Sequence, residues 1–322
     1  MMKPTTKALS ALALLSLATI GFGLMMGSVS NADAAIIYQL RLPRVLAAFA
    51  IGGLLAMSGA LLQVITRNPL AEPSILGVSG GASVGALIAI FMGAAGSIYV
   101  PLAAWVGALS ILIILYLLLG SLSYQPTRLI LAGVMLATAC GAISSLLIVF
   151  ADDVAMPGMI HWLMGDLDSV QSLEAVGSIL GLWLATWIVV AKYAPQIHLM
   201  QFGFDKAKSL GVDVQRLQWL MVLLVALASA GAVSIAGAIG FIGLLVPHLI
   251  RLLITPKHGV NQIMILHMSA LLGGIVLVIA DAIARTVLAP AQLPVGVITV
   301  LLGVPAFLWL LAKMSTWGEA RS

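Results

Sequence analysis

Apolar stretches near the length of a bilayer, separated by short gaps that hold almost all the charge, constrain this chain more than any other feature. A helix needs about 20 residues at 1.5 Å each to cross hydrocarbon, and inside it every backbone polar group must be satisfied by the segment itself. With 62% of its 322 residues hydrophobic and 8% charged, against about a quarter charged in a soluble domain, the chain reads as an integral membrane protein. A transmembrane barrel would alternate polar and apolar residues, and these runs do not. The expectation is an all-α polytopic fold of ten segments: Ala8 to Gly27, Val45 to Ile65, Ser79 to Met92, Val100 to Leu122, Leu129 to Phe150, Val176 to Ala191, Leu217 to Ala238, Phe241 to Ile254, Ile265 to Ala284 and Val295 to Ala312. The third and eighth are short and contain Gly or Pro, so broken or partial spans are expected there. No hydrophilic domain, linker or solenoid repeat divides residues 1–322, which read as one membrane domain.

Charge orients the segments. A pI near 9.4 would suit nucleic acid if the basic residues clustered, but they are spread over many short loops. The positive-inside rule accounts for them better. With the N-terminus in the cytoplasm, twelve of the fifteen basic residues fall inside, and seven of the eleven acids, Asp33, Asp152, Asp153, Asp166, Asp168, Glu174 and Asp281, fall outside. Both termini are then cytoplasmic. Three basic residues break the rule: Arg41, Arg44 and Arg285 lie on the outer side. Lys3, Lys7, the first apolar run and Ala32-Asp33-Ala34 imitate a secretory signal, although the run is long for one and is expected to be retained.

The longest polar interruption, Lys192 to Arg216, is cytoplasmic. Ala207, Leu210, Val214 and Leu217 recur at spacings of three and four, so they share one helical face, and Gly211 interrupts the pattern. Two short amphipathic helices bent at Gly211 would lie on the membrane surface or fit a groove in a partner; a solvated basic loop is the alternative. The single Cys140 excludes an internal disulfide and reads as a small core residue. No G-x-x-x-x-G-K-[ST] phosphate loop occurs, and the five histidines form no His-x-x-x-His pair and have no cysteine nearby, so neither a catalytic nor a metal site is expected.

Five motifs follow in order. Arg41-Leu42-Pro43-Arg44 precedes the second span, where Pro43 disfavours helix at Leu42 and suits a first helical turn. After that span comes Asn68-Pro69-Leu70-Ala71-Glu72-Pro73-Ser74-Ile75-Leu76-Gly77-Val78-Ser79-Gly80-Gly81-Ala82, where two prolines enforce a non-helical re-entry and Gly80 and Gly81 allow close backbone approach. Then come Gly240 to Arg251 with Pro247 and His248, Asp281-Ala282-Ile283-Ala284-Arg285, and Gln292-Leu293-Pro294-Val295-Gly296. In this order and at these separations the segments resemble the FecCD family, permease subunits of binding-protein-dependent ABC importers for ferric siderophores, haem and cobalamin. The resemblance runs from Arg41 to about Leu311.

The resemblance implies a ten-helix subunit that pairs with a second permease copy around a central path. Two separate ATPase subunits carry ATP-Mg below it, and a periplasmic or surface-tethered binding protein docks above; the chain itself holds no cofactor and catalyses no reaction. Gly203, Asp205, Lys206, Ala207, Lys208, Leu210 and Gly211 occupy the position of the family's ATPase-coupling helices. Many relatives have an acidic residue where this chain has Phe204, so Asp205 is expected to substitute. Arginines matching Arg41, Arg44 and Arg285 receive acidic residues of the binding protein in relatives, and a guanidinium fork suits carboxylate capture. Two other readings stand beside that one: Arg285 is four residues after Asp281, the spacing of a same-face pair, and all three arginines could snorkel to headgroups. Asp281 is expected to orient Arg285 rather than relay protons, His248 to pack at an interface, and Trp162 to anchor at the bilayer boundary. A ferric siderophore is the expected cargo, with cobalamin close behind. A secondary transporter is the rival class, coupled through Asp281, Asp166 or Asp168, but it would need ionisable groups near the midplane.

Overall fold

A computed structural model describes residues 4–27, 33–120, 125–168, 170, 172–258 and 261–319. The described residues form helices α1 (Pro4–Met25), α2 (Ala34–Ile36), α3 (Leu42–Thr66), α4 (Val78–Phe91), α5 (Tyr99–Leu119), α6 (Pro126–Val149), α7 (Ala155–Met164), α8 (Leu173–Met200), α9 (Phe204–Ser209), α10 (Val214–Ala236), α11 (Ile242–His258), α12 (Gln262–Thr286) and α13 (Val295–Glu319). Seven are long and apolar enough to cross a membrane, and three shorter apolar helices fall within α4, α11 and α13. Together they occupy the ten segments read from the sequence. The short α4 follows a 3-10 turn, Pro73–Leu76, and Gly77 at φ 77°, the non-helical backbone that the two prolines demand.

Helix α3 is the hub. Of its most apolar window 94% is buried, and it packs on α12, α10, α8 and α11. Composition explains the position, because Leu and lipid tails are equally apolar and helices in a bilayer associate through small residues that let backbones meet. Gly52 and Gly273 face each other so closely that a Cβ on either would overlap the other's carbonyl oxygen, and a Cβ on Gly59 would overlap the carbonyl of Gly243. Gly81 and Gly107 join α4 to α5 in the same way, and Gly80 lies against Cys140 of α6, so the cysteine is buried core as expected. The outer helices do the reverse: α1, α5 and α6 expose Leu17, Ile113, Leu117, Leu131 and Val149.

Three local expectations are corrected. The second span does not begin at Pro43. Helix α2 runs through a π-helical turn, Ile37–Arg41, straight into α3. Proline has no N–H and clashes with the preceding turn of a regular helix; the wider turn absorbs this, with the Leu42 N–H bonding to the carbonyl of Ile37, five residues back. The sixth span continues past Ala191 to Met200 with Pro195 inside it, so about a third of the polar interruption belongs to that span. Finally, only one short helix, α9, lies between the spans. Gly211 at φ 86° ends that segment, and Val214 and Leu217 belong to α10, whose N-cap is the Asp213 side chain. Ala207, Val214 and Leu217 are buried, but Leu210 is exposed, because the glycine turn rotates it off their face.

Candidate functional site

The three exceptional arginines converge. Arg41 and Arg44 are three residues apart, on adjoining turns of the helix that becomes α3, and Arg285 ends α12, the helix in most extensive contact with α3. All three are buried, at 7%, 5% and 4% relative exposure, so none reaches out as an interfacial snorkel would.

Two of them finish a helix. The last carbonyls of an α-helix have no intrahelical donor and carry the negative end of its dipole. Arg41 Nη1 donates to the carbonyls of Leu24 and Met25 at 3.0 and 3.1 Å, and Arg285 donates to Met26 and Gly23 at 3.0 and 3.1 Å. The arginines thereby dock the end of α1.

Arg44 instead meets carboxylates. Its Nε donates to Asp281 Oδ1 at 2.9 Å, and its Nη1 donates to Asp168 Oδ1 at 2.7 Å and to Gln292 Oε1 at 2.8 Å. Nη2 lies 3.8 Å from Asp166 and has no hydrogen bond among the described residues. Asp281, with no exposed surface, bridges Arg44 and Arg285, reaching the latter's Nε at 2.9 Å. Three guanidinium groups and three carboxylates thus gather α1, α3, α12, the loop after α7 and the loop before α13 at one point. The expected orientation of Arg285 by Asp281 is present, but Asp281 grips Arg44 as well. His161, 3.7 Å from Asp166, borders a neighbouring cavity of 980 Å³ that is also lined by Trp105, Trp162, Asp166, Ser172 and Glu174.

The loop after α7 is set by backbone bonds. Gly165 at φ 74° and Gly237 at φ 66° end α7 and α10 side by side; Asp166 N–H bonds to the Ala236 carbonyl at 2.8 Å, and Gly296 N–H to the Gly165 carbonyl at 3.1 Å. Gly296, two residues after Pro294, has no room for a Cβ beside the carbonyls of Met164 and Ala238. Trp162 lies on a ten-residue helix, α7, in the segment between α6 and α8.

The opposite face holds the proline-rich hairpin. Asn68 Oδ1 accepts from Leu70 N–H at 2.9 Å, closing the turn that Pro69 begins. Glu72 Oε1 accepts from Phe241 N–H at 2.7 Å, immediately ahead of α11, and holds Phe241 at φ 69°. Burial pushes the Glu72 carboxyl above the ordinary glutamate range, and this bond pulls it back in part. Pro73 fits against Gly243. Pro247 cannot donate to Gly243, four residues back; the side-chain amide of Gln63, in α3, donates to that carbonyl at 3.4 Å, and Gln63 Oε1 accepts from Arg251. His248 packs edge to face on Phe307 at 5.6 Å. Gln63 escaped the sequence reading, although an amide inside an apolar span is a signal in itself.

On the same side, α9 projects Asp205, Lys206 and Lys208 outward while Phe204 and Ala207 are buried. Arg67 lies 5.7 Å from the buried Phe204 ring, which anchors the helix. Gly203 and Gly211 flank α9, both with positive φ.

Ten apolar segments around a glycine-packed hub define a multi-pass membrane protein. The FecCD transport family profile matches residues 8–313, and the chain belongs to that family of ABC importer permeases, which places it in the cytoplasmic membrane. It is 38% identical over 286 residues to the vitamin B12 import system permease BtuC of Vibrio cholerae, covering 88% of this chain and 85% of that one. It is 40% identical over 284 residues to the cobalamin import system permease BtuC of Halobacterium salinarum, covering 88% and 75%. A solved metal-chelate type ABC transporter in an inward-facing conformation superposes with a TM-score of 0.85 at 31% identity, covering 96% and 99%. PsaBC from Streptococcus pneumoniae, at 18% identity and a TM-score of 0.59, shares the fold, covering 85% and 92%.

Proposed function

We propose that this permease imports a cobalamin-class metal chelate, as one of two copies of itself, with both termini in the cytoplasm. The observation that carries the substrate class is the sustained identity to permeases named for vitamin B12 and cobalamin; it outweighs the ferric siderophore expected from family frequency. The exposed face of α9 couples the spans to two separate ATPase subunits, which bind ATP-Mg, and no covalent chemistry falls to this chain. On the opposite face Arg44 receives an acidic residue of a substrate-binding protein, and Arg41 and Arg285, which hold the end of α1, brace the site beside it. Each end then favours a different conformation through differential binding, which is what moves a two-state path.

The test is reconstitution. The permease purified with its ATPase and binding protein in liposomes is expected to take up cyanocobalamin in the presence of ATP, and the binding protein is expected to prefer corrinoid to ferric siderophore. Uptake driven by an ion gradient without ATPase would overturn the importer mechanism. Preference for a siderophore would overturn the substrate alone.

A further inference from the structure

The Arg44 guanidinium is divided between two kinds of carboxylate. Asp281 has no exposed surface and holds Nε from within α12, whereas the Asp168 side chain is 61% exposed and closes on Nη1 from the loop after α7. Nη2 keeps a donor without a hydrogen bond among the described residues, 3.8 Å from Asp166. The two contacts differ in how easily they exchange. Opening the inner pair strands a buried charge, while an ion pair to a solvated carboxylate contributes little and is readily replaced. A carboxylate approaching from outside would meet Asp168 first, seated where a bidentate partner of Nη1 and Nη2 would bind.

We propose that Asp168 is an intrachain stand-in for the partner's carboxylate: it occupies Arg44 in the undocked permease and is displaced when the acidic surface arrives. The proposal rests on the docking reading of Arg44 given above. Before docking, the cluster is balanced at three guanidinium groups to three carboxylates. Displacement of Asp168 hands one of those pairings to the partner and releases the loop that continues from α7, so arrival of the partner is communicated to the helix bordering the external cavity. A weak competitor also suits a transient contact, since it lowers affinity without changing which partner fits.

Binding of the cognate binding protein to the permease–ATPase complex in nanodiscs tests this. Asp168→Asn and Asp168→Ala are expected to tighten binding about threefold to fivefold, the upper part of the range that exposed ion pairs contribute, because only the Asp168 end of this pair is solvated. Asp153→Asn removes an exposed acid outside the cluster and is expected to leave affinity unchanged. Unchanged or weaker binding in both Asp168 variants, with Arg44→Glu still abolishing docking, would show that Asp168 only positions its loop and would overturn the stand-in. An equal gain from Asp153→Asn would overturn it too, reducing the effect to overall surface charge. Wild-type docking by Arg44→Glu would remove the docking reading itself, and the stand-in with it.

Discussion

Asp281 sits between two guanidinium groups with no exposed surface, an arrangement that is costly to assemble and more costly to break. Removing one member of a buried ionic group leaves an unpaired charge and costs about 3–5 kcal/mol. Asp281→Ala is therefore expected to lower the thermal midpoint of the purified permease sharply and to loosen α1, since Arg285 would lose the carboxylate that aims it at the Gly23 and Met26 carbonyls. Thermal unfolding in detergent checks this, and a midpoint within a degree or two of wild type would show that the cluster is not a structural fastening. Half of the cluster was legible beforehand. Asp281 and Arg285 stand at helical spacing, but Arg44 and Asp281 are 237 positions apart and Arg44 and Gln292 are 248 apart, and no local pattern encodes such pairs.

Helices here are positioned by glycine. Gly52 of α3 lies against the Gly273 backbone of α12, and an added Cβ would also meet Leu277 Cβ at 2.8 Å. Backbone cannot yield as a side-chain tip can, so Gly52→Ala is expected to cost about 3 kcal/mol, the upper part of the usual overpacking range, and to reduce the folded yield in membranes. Gly181 of α8 has nothing within 4 Å of a built Cβ. Gly181→Ala is accordingly expected to be neutral or to stabilise by up to about 1 kcal/mol through helix propensity. Unfolding of the two variants side by side separates packing from propensity, and equal effects would contradict the close approach. Element existence was readable because hydrophobic length is a property of sequence alone. Element ends were not: a π-helical turn carried the second span back through Pro43, and α8 ran on past Lys192, since both choices depend on what surrounds the helix end.

Across the whole molecule, the arginine cluster and the Asn68 to Glu72 hairpin are joined by α3, which begins beside Arg44 and ends near that hairpin. Gly211 lies between α9 and α10, in a left-handed conformation with open space around it. A β-branched residue would fit there sterically but not conformationally, at about 1–3 kcal/mol of backbone strain. Gly211→Val is expected to lower substrate transported per ATP hydrolysed, or to prevent ATPase assembly, while leaving membrane insertion intact. Side-by-side measurement of uptake and phosphate release tests it, and a wild-type ratio would show that the bend has no part in coupling.

Sequence alone determined that ten apolar helices form and which motifs belong to the permease family, because these follow from hydrophobic length and residue order. It also isolated Arg41, Arg44 and Arg285 as exceptions. Tertiary structure decided where the exceptions sit: two arginines close the end of α1, and the third lies among carboxylates from α12 and from the loop after α7. The physical reason is that burial in a bilayer is a local property of a segment, whereas the pairing of buried charges depends on which helices a few glycines allow to meet.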